Sequence, residues 1–334
     1  MRIVFLSLLF AGLVSSCSTD ITLEGEWQDI PVIYGFLSTQ DTAHYIRVEK
    51  VFLEPGGNAE SIARIPDSLY YGADEATVVL QKVSNGQRFI LQRVDGEAEG
   101  YPRREGIFAQ SPNILYKIKA NQAALQGGQR VRILVERAGE ETAIAETVIV
   151  SPLSITQPRE ATSLQLIPYN IDNVIVWDSP AQAQLFDVRA TIRYRESLPG
   201  STTQFVNKSI EWVFNDNVTR DNPSSFQDVK FTNVSFYLTL ANAITPNPQV
   251  IRRLDGIDFF VTGGGEELAD YLLLANANTG ITSAEQPPVY SNVTNGLGLV
   301  SSRYQVKLSG ISINSTSRDS LRNGIYTKLL NFVP

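Results

Sequence analysis

Between residues 32 and 150 the chain repeatedly builds a short apolar run, breaks it with turn-forming residues and builds another. The runs cover residues 32–37, 45–53, 76–82, 88–94, 114–120, 131–136 and 143–150. Several alternate as a half-buried strand does, with Ile46 and Val48 on one face and Arg47 and Glu49 on the other. Asn85-Gly86 is a hairpin signal between two of the runs, and Gly127-Gly128 reads as a second. About seven short strands in little more than a hundred residues predict an immunoglobulin-like β-sandwich. The inter-sheet disulfide and its companion tryptophan are absent, which makes the expected variant fibronectin-like.

Two longer excursions interrupt the pattern. EPGGNAESIARIPDSLYYGADE separates the second and third runs, with a helical turn expected within residues 58–64, and DGEAEGYPRREGIFAQSPN separates the fourth and fifth. Long connections on a compact domain are frequent carriers of function. At residues 151–158, SPLSITQP holds two prolines and ends the strand pattern, so a domain boundary is placed there.

Beyond it, residues 174–177, 185–194, 204–214, 256–261 and 303–313 read as strands. In the second of these Phe186, Val188, Ala190, Ile192 and Tyr194 share one face. Helices are expected over residues 235–243, 266–277 and 319–331. The fold class is therefore mainly β: a sandwich over residues 30–152, with residues 25–152 expected to fold on their own, then an α+β domain over 153–334 whose antiparallel sheet is covered on one face by helices.

Hydrophobic residues make up 43% of the chain and charged residues 19%, the balance of a globular protein. The net charge of −7, with no basic cluster, argues against nucleic acid as a partner.

The N-terminus is MRIVFLSLLFAGLVSSCSTD. Arg2 gives a positive start, residues 3–14 an apolar stretch, and Ser15-Ser16 small residues just before the single cysteine, Cys17. This is the layout of a secretory signal, and its apolar run is too short to span a bilayer. Val-Ser-Ser-Cys resembles the bacterial lipobox, in which the signal is cleaved before a cysteine that becomes acylated. On that reading residues 1–16 are a lipoprotein signal peptide, Cys17 is the lipid anchor and residues 17–29 are a tether. A lone thiol in exported sequence has no disulfide partner to explain it. Acyl chains contribute about 0.8 kcal/mol per buried methylene, so several hold a protein on a membrane without a spanning helix.

Catalytic signals are few. His44 is the only histidine and reads as a structural strand residue. No lipase-type Gly-x-Ser-x-Gly elbow is present. Metal sites built on Cys or His are excluded by count, and Asn215-Asp216-Asn217 lacks the alternating ligands of a calcium loop. Thr262-Gly263-Gly264-Gly265-Glu266-Glu267 lacks the Lys-Ser/Thr of a phosphate loop, and acidic residues in a first turn suit the helix dipole. No carboxylate pair stands in a recognisable glycosidase motif. The reading calls for no cofactor and no metal. Tyr70, Tyr71, Tyr101 and Trp212 are aromatics able to stack on sugar where exposed, most of them expected as core or edge packing, and Arg189, Arg193 and Arg195 form a solvated basic stripe opposite the apolar face of their strand.

Asn-x-Ser/Thr sequons occur at Asn207, Asn217, Asn233, Asn292 and Asn314. Asp41-Thr42-Ala43, Asp67-Ser68-Leu69 and Asp319-Ser320-Leu321 resemble the Asp-Ser/Thr-apolar signal for O-glycosylation of exported Bacteroidota proteins, which makes Thr42, Ser68 and Ser320 candidate acceptors. The tract PPVYSNVTNGLGLV at residues 287–300 resembles the "P-V-x-x-N-I-x-x-G-x-G-x-F" ending of Bacteroidota lipoproteins of unknown function often encoded beside TonB-dependent outer-membrane transporters. Residues 76–80, ATVVL, resemble their "A-x-V-x-L" strand, and Gly106-Ile107-Phe108 followed by Leu115-Tyr116-Lys117-Ile118 resembles their "G-x-Y … Y-x-L-x-V" pair. Leu299 departs from the usual aromatic.

The resemblance implies an address and a partner class rather than catalytic residues. The resulting expectation is a lipid-anchored outer-membrane protein, on the periplasmic face or the cell surface, acting as a binding or accessory component. Its partners would be the membrane and a transporter or other envelope protein, met through Tyr70, Tyr71, Tyr101 and Phe108. The rival is a surface hydrolase acting on glycan or peptide.

Overall fold

The computed structural model describes residues 30–51, 63–220, 224–277 and 290–334. The signal segment, Cys17, the tether and most of the segment expected to hold a helical turn at 58–64 lie outside them. The fold is mainly β. Its strands are β1 (Ile30–Leu37), β2 (Ala43–Val51), β3 (Thr77–Lys82), β4 (Arg88–Ile90), β5 (Gln92–Asp95), β6 (Ile114–Lys119), β7 (Arg130–Glu136), β8 (Ala143–Val148), β9 (Ser154–Gln157), β10 (Ser163–Leu164), β11 (Asp172–Asp178), β12 (Leu185–Ser197), β13 (Phe205–Thr219), β14 (Phe226–Thr232), β15 (Arg252–Gly264), β16 (Val293–Thr294) and β17 (Leu297–Ile313). Three longer helices are α1 (Asn233–Ala243), α2 (Glu266–Ala277) and α3 (Ser315–Asn323).

The largest sheet runs β13-β12-β15-β17-β1-β2-β6-β5, with β10 also paired to β17. All its neighbours on the main path are antiparallel except β1 and β17, which are parallel in the register Val32↔Leu297 to Leu37↔Ser302. A five-stranded sheet, β16-β8-β7-β3-β4, supplies side chains to the same core as β1, β2 and β6. There Ile33, Ile46 and Val48 meet Leu80, Ile133 and Val135. The inward set is the even-numbered side of β2, as the alternation of Ile46 and Val48 predicts. A second core gathers the inner face of β12 and β15, a three-stranded sheet β14-β11-β9, and α1 and α3 around Trp177, Phe186, Phe236, Tyr237 and Phe259. The cover on this sheet is thus partly a second sheet, where helices alone are expected.

The two cores part near residue 150, but the chain does not. β16 and the start of β17 return from the far end of the sequence to pair with β8 and β1, and Val293 and Val300 are buried in the first core. A tract next to the C-terminal unit therefore completes the N-terminal one.

Other differences have local causes. The run 88–94 divides at Leu91, β4 staying with β3 while β5 joins β6 in the other sheet. Asn85-Gly86 does turn β3 into β4, with Gly86 at φ 70°. Gly127-Gly128 is not a hairpin turn, because β6 and β7 belong to different sheets; Gly128 donates instead to Ile149 O, extending the β7–β8 pairing. Helix α3 begins earlier than expected because Asn314 Oδ1 accepts from Ser317 N–H at 2.9 Å, and it stops at Gly324. A separate 3₁₀ turn covers Lys328–Leu330.

Candidate functional site

Outward-facing residues of β1, β2 and β6, with the excursion between β5 and β6, form the surface on which the expected contact residues fall. Two ion clusters organise it.

The first centres on Glu49, a buried carboxylate. Its Oε1 accepts from Arg103 Nη1 at 2.7 Å and from Arg47 Nη1 at 3.2 Å. Arg103 Nη1 also donates to Tyr70 Oη at 2.7 Å, and its guanidinium lies 4.8 Å from the centre of the Phe108 ring. An arginine between a carboxylate and an aromatic face satisfies its donors on one side and stacks on the other.

The second centres on Glu99. Its Oε2 accepts from Tyr45 Oη at 2.9 Å and from Lys117 Nζ. The hydrogen bond from Lys117 leads in holding the Glu99 carboxyl below its ordinary value, and Glu99 in turn leads in raising Lys117. The Tyr45 hydroxyl is raised, by burial first and then by its bond to Glu99. Tyr101 packs on Tyr45 with ring centroids 4.8 Å apart.

The excursion is pinned to the sheet at both ends. Asn113, fully buried, donates through Nδ2 to Tyr101 O at 2.6 Å, and Tyr101 N–H donates to Gly96 O at 2.7 Å. Gly96 has no room for a side chain, since a Cβ would lie 2.6 Å from Asn113 Nδ2. Farther along, Ala109 N–H donates to Ala63 O at 2.8 Å.

This geometry divides the expected contact residues. Tyr101 is 54% exposed and Phe108 41%, so both can meet a partner. Tyr70 and Tyr71, at 3% and 2%, are core residues, because the turn Pro66–Leu69 directs them onto the sheet. They support the surface and do not present it. Trp212 is likewise buried, against Phe214, Phe231 and Phe236. Residues that sequence reasoning passed over are Tyr45, Glu49, Glu99, Arg103 and Lys117. Their signal was the odd-numbered outer face of β2 and the charges of the excursion. On the same sheet face Tyr34 and Phe36 are also exposed, and burial raises the Tyr34 hydroxyl first among its causes.

The glycine-rich tract has a structural role. A Cβ on Gly265 would lie 2.8 Å from Ser301 Oγ, so the turn must be bare to approach β17. Glu267, in the first turn of α2, accepts from Ser301 Oγ at 2.8 Å and Thr147 Oγ1 at 3.0 Å, tying the helix to strands of both sheets. Burial pushes its carboxyl above the ordinary value. It borders a cleft lined by Val148, Ala181, Gln182, Gln184 and Glu266.

The basic stripe is ion-paired: Arg189 to Asp187 and Glu211, Arg193 to Asp258, Arg195 to Asp255. His44 is buried with neither ring nitrogen hydrogen-bonded among the described residues, and no group of three or more potential metal ligands occurs among them.

Among the modification candidates, Thr42 is exposed, Ser68 is half-buried in its helical turn, and Ser320 is half-buried with its hydroxyl 2.5 Å from Tyr169 Oη. Of the sequons, Asn207 is exposed on β13. Asn233 and Asn292 are held in internal hydrogen bonds, Asn314 caps α3, and Asn217 lies in β13.

No family model matches the chain, and no curated protein matches it.

Proposed function

We propose that the chain is a lipid-anchored cell-envelope protein of the outer membrane that works by association, as an accessory component beside a TonB-dependent transporter or another envelope protein. The anchor reading draws on the signal layout and Cys17, and the partner class on the resemblance carried by residues 76–80, 106–118 and 287–300.

The observation that carries the binding role is the pairing of exposed Tyr101 and Phe108 with a backbone pinned at Gly96, Asn113 and Ala109. Aromatic side chains on a fixed scaffold lose little entropy on binding and are frequent energetic centres of interfaces. Arg103, held between Glu49 and Phe108, adds a cation to the same surface.

Photo-crosslinking amino acids placed at positions 101 and 108 in the native cell test this. A discrete envelope protein captured at both positions, and not at exposed Gly139, supports the proposal. Absence of any adduct, together with glycan or peptide hydrolysis abolished by one Asp or Glu substitution, would transfer the protein to the hydrolase class.

A further inference from the structure

From the strand register we infer how the protein stands on its membrane: the end where β1 starts is bilayer-proximal, the second core is distal, and the Tyr101–Phe108 surface faces sideways near the bilayer, toward a partner embedded in the same membrane. The inference rests on the lipid-anchor reading of Cys17.

Three strand ends meet where the tether joins the fold. Ile30 opens β1, Val51, paired with it, closes β2, and Leu297, opposite Val32, opens β17. Val51 and Leu297 are exposed apolar residues at this end. Because β1 and β17 are parallel, both run away from it together. β17 continues for 17 residues, which at about 3.3 Å per residue carries its far end, at Ile313, roughly 50 Å away. The later part of β17 pairs with β15 and contributes Ile311 and Ile313 to the second core. The strand is therefore a spine joining a near unit to a far one.

Tether length decides what this means at a membrane. Thirteen residue steps separate Cys17 from Ile30, and at full extension such a segment reaches about 45 Å. As a random coil its root-mean-square length is about 20 Å. Turning the molecule over, with Ile313 at the bilayer and Ile30 uppermost, requires a reach of roughly 50 Å, which the tether does not have.

The candidate surface then takes a definite height. Glu49 pairs with Val32, and Tyr45 lies four residues farther along β2. These levels are about 7 and 20 Å above the entry end at a strand rise of about 3.3 Å per residue. Both clusters project from the sheet face, across the strand direction. A partner arriving from solution would meet the far unit first, whereas the exposed rim of an integral membrane protein stands beside Tyr101 and Phe108.

Single-cysteine fluorophores test this on the full acylated chain, where Cys17 is the only native cysteine and acylation blocks it. Thr294→Cys, Glu105→Cys and Thr316→Cys place labels at exposed positions at the near end, on the flank and at the far end. Each labelled protein is reconstituted into phosphatidylethanolamine/phosphatidylglycerol vesicles containing an acceptor-labelled lipid.

Energy transfer should be strongest from position 294, intermediate from 105 and mostly lost from 316. Equal transfer from 294 and 316, or the reverse order, overturns the orientation while the anchor stands. Failure of the protein to float with the vesicles overturns the anchor reading and the orientation together. Asp319→Cys, also exposed at the far end, replaces Thr316→Cys if that variant misfolds.

Discussion

Gly298 lies directly against the backbone of Ile33: a Cβ on Gly298 would fall 2.8 Å from the Ile33 N and C atoms and closer still to its carbonyl oxygen. Gly298 also has φ 126°, a conformation that side chains with a Cβ avoid. Its neighbourhood is the tract in which Asn292 donates to Glu146 O and Val300 O and accepts from Val300 N–H. The sequence pattern is thus accounted for by packing: Asn292 links β8 to β17 across the two sheets, and Gly296 and Gly298 approach the backbone of β1 within one sheet.

Gly298→Ala should cost more than about 2 kcal/mol, the strain and the collision acting together. Gly100→Ala should cost about 1 kcal/mol, because Gly100 has φ 86° but open space around it. Urea titration of both variants checks the ranking, and equal midpoints would contradict the close approach.

A fragment of residues 25–152 lacks β16 and the near half of β17. It is expected to melt broadly, because Val293 and Val300 are missing from its core and β1 loses one neighbour. Fusing residues 290–303 to it through a flexible linker should restore a cooperative transition. Circular dichroism during heating distinguishes the two, and a sharp transition in the shorter fragment would show that the returning strands are dispensable.

Two groups shifted by desolvation should impose opposite pH slopes. Glu267 has a folded pKa above its ordinary value of 4.5, so the native state holds the proton more tightly. Its contribution to stability is present at low pH and is lost as pH rises from about 4.5 through the raised value. His44 is shifted below 6.5 by burial, which outweighs the opposing charge of Asp41. The unfolded state then takes up the proton first, and stability falls as pH drops below about 6.5. Glu267→Gln should flatten the first slope and His44→Leu the second. Denaturation midpoints between pH 4 and 8 read both, and an unchanged profile in either variant refutes that assignment.

Glu49→Ala should destabilise by about 1–3 kcal/mol, since it removes the carboxylate that Arg47 and Arg103 share while Arg103 keeps its bond to Tyr70 Oη. Tyr101→Ala should change stability by less than about 1 kcal/mol yet reduce partner capture. Thermal melting combined with crosslinking yield separates the supporting residue from the contacting one.

Much of the strand layout was legible because it depends on local alternation. The inner face of β12 and the outer position of Arg189, Arg193 and Arg195 both followed from period two. What sequence reasoning missed depends on distant partners. Tyr70 and Tyr71 look like loop aromatics until the turn at Pro66–Leu69 places them on the sheet. The strands β9, β10 and β16 are too short to show a period, and each exists because a neighbouring strand offers an edge. The excursion residues Glu99 and Arg103 gain meaning only from Lys117 and Glu49, to which no spacing rule links them.

The parallel pairing of β1 with β17 also governs timing. Gln40, in the turn after β1, exchanges hydrogen bonds with Gln305, 265 residues later. Synthesis delivers β1 first among the described strands and its partner β17 last. Contacts this remote in sequence form slowly, since a very long loop must close before they stabilise anything. The near unit therefore stays open along one edge of β1 until almost the whole polypeptide has emerged. Under the proposed export, that delay would keep the chain competent for translocation until the final strand arrives.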